Sequence, residues 1–142
     1  MNAWLLDTGP IVAYLDSTDA RHDDVARRLE AFAGRLVTSG AVVTEAMHFV
    51  AETPGGPRLL ADFVASSDMR VYDLAQPAQL RDAAALMERY GDTPMDYADA
   101  TLVLLADALE IDEVMTLDRR GFATYRMLSR KRFRLVMEQP SV

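Results

Sequence analysis

No cysteine occurs in the 142 residues, which excludes disulfides, thiolate metal sites and cysteine nucleophiles. Lysine is almost missing, with Lys131 alone, and the two histidines are His22 and His48. Any metal site must use oxygen ligands or one of these imidazoles. No stretch approaches the roughly 20 apolar residues of a membrane span. The start, Met1 to Asp7, has neither a basic segment nor a long apolar one, so the expectation is a soluble, cytoplasmic protein with no membrane contact. No internal repeat or low-complexity tract is present.

Positive charge is in short supply: 15 Lys and Arg stand against 22 Asp and Glu, a net charge of −7. That balance argues against broad adhesion to nucleic acid, which rests on neutralising phosphates. The distribution qualifies this. Arg119, Arg120, Arg126, Arg130, Lys131, Arg132 and Arg134 crowd the C-terminal segment, so one edge of an acidic protein can still be positive, or simply a solvated basic face.

Half of the residues are apolar, enough for one domain over residues 1–142 with a real core. Apolar runs with strand character fall at 3–6, 36–38, 70–74, 114–117 and 133–137. Between them, helical spacing marks segments near 10–15, 20–32, 41–52, 58–65, 77–90 and 94–109. Thr93 as N-cap, Pro94 at the first helical position and Asp96 three residues after the cap predict the start of the last helix. Thr53-Pro54-Gly55-Gly56-Pro57 is a loop. Strands alternating with helices at these lengths predict βα units around a parallel sheet with helices on both faces.

Four acids stand where strands or helices face the carboxyl edge of such a sheet, the edge at which ligands gather in open α/β folds. Asp7 ends the first strand and precedes Thr8-Gly9-Pro10. Glu45 lies in the first turns of the helix after the second strand. Asp99 lies inside an apolar helix, flanked by Ala98, Ala100 and Leu102, where a carboxylate needs a partner. Asp118 ends the strand carrying Thr116. Four converging carboxylates repel one another unless a divalent cation compensates them, and hard oxygen ligands select Mg²⁺ or Mn²⁺. Without a phosphate-binding glycine loop, this pattern points to metal-dependent hydrolysis of phosphodiesters.

Each acid also has a plainer role. Asp7 could cap the helix near Pro10, Glu45 could be solvated, and Asp118 could be a turn residue before Arg119-Arg120-Gly121. Asp96, three residues before Asp99, could face the same site or close a near capping box. Glu45 and His48 match the Glu-x-x-His spacing of di-iron bundles, but His22 has no matching glutamate, so His48 reads as packed or partner-facing and His22 as solvated near a helix start. Aspartyl-phosphate chemistry is disfavoured, because Gly9 stands where a phosphatase needs a second Asp and Lys131 follows no suitable strand.

Taken together, Leu6-Asp7-Thr8-Gly9-Pro10-Ile11-Val12-Ala13-Tyr14-Leu15, Thr44-Glu45, Asp96-Tyr97-Ala98-Asp99-Ala100 and Thr116-Leu117-Asp118 with Phe122 resemble the PIN-domain nucleases, and within them the VapC-type toxins of toxin–antitoxin pairs. The resemblance spans essentially the whole chain. It implies a three-layer α/β/α fold on a five-stranded parallel sheet. It implies a Mg²⁺- or Mn²⁺-dependent endoribonuclease whose metal-binding acids are Asp7, Glu45, Asp99 and Asp118, with Thr8 and Thr116 as polar supports. It also implies a homodimer, an RNA substrate and a cognate antitoxin seated in apolar grooves with a basic side chain near the acids. A housekeeping RNA-processing enzyme and a non-catalytic RNA- or protein-binding scaffold are the alternative roles for the same fold.

Overall fold

The computed structural model describes residues 2–140. Strand β1 (Ala3–Leu6) is followed by helices α1 (Thr8–Leu15) and α2 (His22–Ala31). Then come β2 (Arg35–Ser39), α3 (Gly40–Val50), α4 (Gly56–Ser66), β3 (Arg70–Tyr72), α5 (Pro77–Arg89) and α6 (Tyr97–Leu109). β4 (Glu113–Met115), α7 (Arg119–Thr124), β5 (Arg134–Leu135) and a 3-10 turn at Val136–Glu138 complete the order. The five strands form one sheet in the order β3-β2-β1-β4-β5, and every pairing is parallel. The three-layer expectation holds.

The strand order reverses direction between β1 and β4. In such sheets the chain leaves neighbouring strands toward opposite faces at that point, which opens a crevice at their carboxyl ends. Leu5 pairs with Val114 and Leu6 with Met115, and the Asp7 amide donates to the Met115 carbonyl at 3.0 Å. Asp7 and Thr116 are thereby held side by side at the mouth of the crevice.

The central strands are covered on both faces. Leu5, Leu6, Val114 and Met115 are fully buried, with Ile11, Val42, Leu102, Leu105, Phe122 and Tyr125 packed around them. Helix α6 explains why a sequence pattern could not assign it one face: nine consecutive residues, Ala98 to Ala106, are buried, as in a helix enclosed by protein rather than lying on its surface. The buried hydroxyls of β2 are paired. Thr38 Oγ1 donates to the Leu6 carbonyl at 2.7 Å, and the Ser39 and Thr101 hydroxyls meet at 2.7 Å.

Several boundaries differ from the sequence-based expectation. Helix α6 begins at Tyr97 and not Pro94, because the Asp96 side chain, not Thr93, caps it. Strands β3 and β4 are three residues each and β5 only two. Helix α7 was not anticipated. Gly34 does not close α2, whose capping residue is the extended Phe32. Its role is steric: a Cβ there would lie 2.2 Å from the Asn2 carbonyl and 2.4 Å from the Phe32 ring.

Candidate active site

The acids meet in one cleft of about 370 Å³ at the β1–β4 crevice, lined by Asp7, Thr8, Gly9, Val12, Asp19, Glu45, Phe49, Asp96, Asp99, Leu117 and Asp118. Asp7 and Asp99 are buried, Glu45 is half-buried, and Asp96 and Asp118 are exposed at the rim. All four anticipated acids therefore share one site, with Asp96 as a fifth and Asp19 as a sixth.

Asp7 is held by both oxygens. Oδ1 accepts from the Thr8 amide at 2.9 Å, which caps α1, and Oδ2 accepts from Thr116 Oγ1 at 2.7 Å. Capping and site membership, set against each other on sequence alone, are one geometry. Thr116 Oγ1 in turn accepts from the Asp118 amide at 2.9 Å, so a single hydroxyl links the two strand-end acids. Asp118 Oδ1 accepts from the Gly121 amide at 3.0 Å and opens α7.

Asp96 and Asp99 form a reciprocal capping box. Asp96 Oδ1 accepts from the Asp99 amide at 2.8 Å, and Asp99 Oδ2 accepts from the Asp96 amide at 3.1 Å. An acid at the third helical position usually faces water; this one is 9% exposed. Burial, and then the charges of Asp7 and Asp96, push its pKa up to about 8. Burial raises Asp7 to about 6 even though Thr116 and Thr8 hold it down, with Asp96 and Glu45 adding repulsion. Glu45 is raised by burial, against a lowering contact from Thr8, and by the Asp96 charge. Buried acids crowded by acids are a mark of functional sites.

The donor set suits a hard divalent cation: carboxylate oxygens, with no soft ligand. Thr8 Oγ1 adds an orphaned polar atom. It is buried without a hydrogen bond of good geometry, although it lies near enough to Glu45 to lower that carboxyl's pKa. Among the described residues no three His, Asp or Glu side chains are arranged, as they stand, to hold an ion. Asp7 gives both oxygens to Thr8 and Thr116, and Asp96 and Asp99 give one each to their cap.

Neither histidine belongs to the site. His22 is half-buried, with Nδ1 2.8 Å from the Ala13 carbonyl, and is not simply solvated. His48 is exposed, so it is not packed. Two residues lining the cleft lie outside the sequence motifs: Asp19, in the turn between α1 and α2, and Phe49, on α3. Phe49 follows Glu45 by four positions, a spacing that puts both on one helix face. A second cleft of about 280 Å³ borders Trp4, Arg28 and Phe32. It contains no acid, and Arg28 Nη1 spans it structurally, donating to the Val136 and Gln139 carbonyls.

Fold and cleft together define an α/β protein with an acid cluster at the switch point of its sheet. The PIN-domain family model matches residues 4–127, and the chain belongs to the PIN-domain family. It is 31% identical over 134 residues to ribonuclease VapC26 of Mycobacterium tuberculosis, covering 93% of this chain and 98% of that protein. Among solved structures it shares its fold with M. tuberculosis VapC20, a sarcin–ricin loop cleaving toxin, at TM-score 0.74 and 20% identity over 82% of this chain and 91% of that one. FitAB bound to a DNA fragment matches at TM-score 0.68 and 16% identity over 96% of each chain. VapBC2 of Rickettsia felis, bound to promoter DNA, matches at 0.63 and 13%, over 94% of this chain and 98% of that one.

Proposed function

We propose that this protein is a divalent-metal-dependent endoribonuclease and the toxin of a toxin–antitoxin pair. The observation that carries the reading is the buried pair Asp7 and Asp99, facing Glu45, Asp96 and Asp118 across one cleft. Asp7, Glu45, Asp99 and Asp118 are the residues that would hold Mg²⁺ or Mn²⁺. When bound, the ion supplies compensation for charge building on phosphorus and acidifies the attacking water.

The chain's own groups do the remaining work. Thr8 and Thr116 orient Asp7, and Thr116 couples it to Asp118. Thr8 also faces Glu45, so that its amide serves Asp7 and its side chain lies toward Glu45. Asp99, with a pKa near 8 in the metal-free protein, holds a proton at neutral pH and must release it as a ligand. Metal affinity therefore rises with pH.

The name of the VapC26 relative and that of the VapC20 neighbour favour RNA as the substrate. The FitAB and VapBC2 complexes favour an antitoxin partner. A homodimer in the cytoplasm completes the reading. Total RNA incubated with the protein in Mn²⁺, and again in EDTA, followed by end mapping, tests it. Discrete new ends are expected only with metal and with Asp7 and Asp99 intact. Wild-type cleavage by Asp7→Asn or Asp99→Asn overturns the assignment of the site. Normal growth on strong expression of the unpaired protein overturns the toxin role.

A further inference from the structure

Phe49 is the most exposed large apolar side chain of the molecule's described residues, at 60%. It sits on α3 one turn beyond Glu45 and lines the acid cleft beside Val12 and Leu117. The fold gains little from it. Val42, Ala46 and Val50 supply the buried side of α3, and its one aromatic neighbour among the described residues is the exposed His48, edge-on at 6.0 Å. A single exposed apolar side chain is ordinary on a protein surface; what singles this ring out is its place in the acid cleft.

No lysine or arginine lines the cleft. A phosphate backbone arriving there meets six acids, and no cationic side chain of the cleft wall offsets them. Beyond what a bound cation and the neighbouring Arg119 and Arg120 supply, affinity inside the cleft comes through contacts indifferent to charge, and stacking of a nucleobase on an aromatic ring is such a contact. The helix geometry puts the ring and the Glu45 carboxylate on the same side of α3, one turn apart, so a base on the ring would hold its own phosphate near the acids.

We propose that Phe49 is a base-stacking platform: an unpaired nucleobase flanking the scissile phosphate lies on its ring and positions that phosphate at the acids. The inference rests on the ribonuclease reading and sharpens it. A base can reach the ring only when splayed out of a helix, so the substrate is single-stranded RNA or a loop. A protein segment could also cover a phenyl ring, but the ring shares its cleft with the acids, where the substrate must lie.

The test uses a short single-stranded RNA spanning a mapped cleavage site, together with copies made abasic at each nucleotide flanking the scissile phosphate. Phe49→Ala should lower kcat/KM by about 5- to 150-fold, with an unchanged melting temperature. Phe49→Trp should restore activity and Phe49→Leu should not, which separates stacking from simple apolar contact. One abasic copy should be cut slowly by the wild type and no slower by Phe49→Ala than the intact RNA. Equal kcat/KM for Phe49→Ala and wild type overturns the proposal and leaves the ring to a protein partner. So does equal rescue by Leu and Trp, or an abasic penalty that persists in Phe49→Ala. Failure of the wild type to cut any RNA overturns the ribonuclease reading itself, and the stacking role with it.

Discussion

Asp99 and Asp7 bind their protons more tightly in the folded chain than in the unfolded one, and stability must depend on pH accordingly. Their pKa values stand at about 8 and about 6 against an ordinary 3.8. Because both are raised, their contribution is fully present below about pH 4 and is lost as pH rises through 6 and 8. For Asp7 the loss amounts to about 3 kcal/mol once it is ionised. Chemical denaturation in EDTA should therefore show stability falling between pH 5 and pH 8.5, and Mn²⁺ should flatten the slope. Asp99→Asn keeps an acceptor for the Asp96 amide but removes the charge. Its gain in stability should be small near pH 4 and about 2 kcal/mol or more by pH 8, while RNA cleavage is lost. A stability independent of pH across this range would contradict the burial assigned to both acids. Thr116→Val removes the hydroxyl that donates to Asp7 and accepts from Asp118. The fold should lose about 1–3 kcal/mol at pH 8, and the pH–rate profile should move to higher pH as Asp7 becomes harder to ionise.

At the scale of elements, the helix starts show what the sequence could and could not convey. Asp7, Asp96 and Asp118 each cap a helix with one oxygen, so the signals for a cap and for a site were the same residues. Pro94 offered a plausible earlier start for α6, and only tertiary packing, which buries Met95 and encloses Ala98 to Ala106, moves the start to Tyr97. Helix α7 is six residues long, too short for helical periodicity to register. It matters because Gly121 sits against Asp118. A Cβ at Gly121 would lie 2.3 Å from Asp118 Oδ2 and 3.1 Å from the Tyr125 hydroxyl. The carboxylate can swing away, so Gly121→Ala should change stability by less than about 1 kcal/mol, helix propensity offsetting the lost contact. It should nevertheless depress cleavage, by displacing a site acid. Loss of folding with no separate effect on rate would show that the glycine serves packing alone. Asp96→Ser offers the complementary case: the cap survives, the charge does not. Thermal stability should hold while the Mn²⁺ concentration for half-maximal rate rises.

Across the whole molecule, the parallel α/β architecture was legible because βα alternation is written in apolar spacing. The strand order was not, since nothing local specifies which strand lies beside β1. The charge distribution was only half legible. The C-terminal basic cluster looked like a positive edge, yet Arg119 pairs with Glu138 at 3.1 Å and Lys131 with Asp112 at 2.8 Å. Arg126 Nη1 turns onto the carbonyls of Ala123, Thr124 and Tyr125. The Leu128 and Ser129 amides tie the following turn to Asp107, a residue near the end of α6 opposite the acids. Only Arg119 and Arg120 follow directly on the cleft acid Asp118, and the exposed Arg119–Glu138 pair is of the weak surface kind that a phosphate can displace. With two such contacts, RNA affinity should vary with salt to a power of about −1.4, a fall of about sevenfold between 50 and 200 mM. A basic track of six or more contacts would lose at least a few hundredfold over the same range. Arg120→Ala should reduce the fall to about threefold, whereas Arg130→Ala, on the remote turn, should leave it at sevenfold. A steep slope that Arg130→Ala relieves would instead mean that the substrate runs over the C-terminal segment, and that affinity comes from phosphate contacts distant from the cleft.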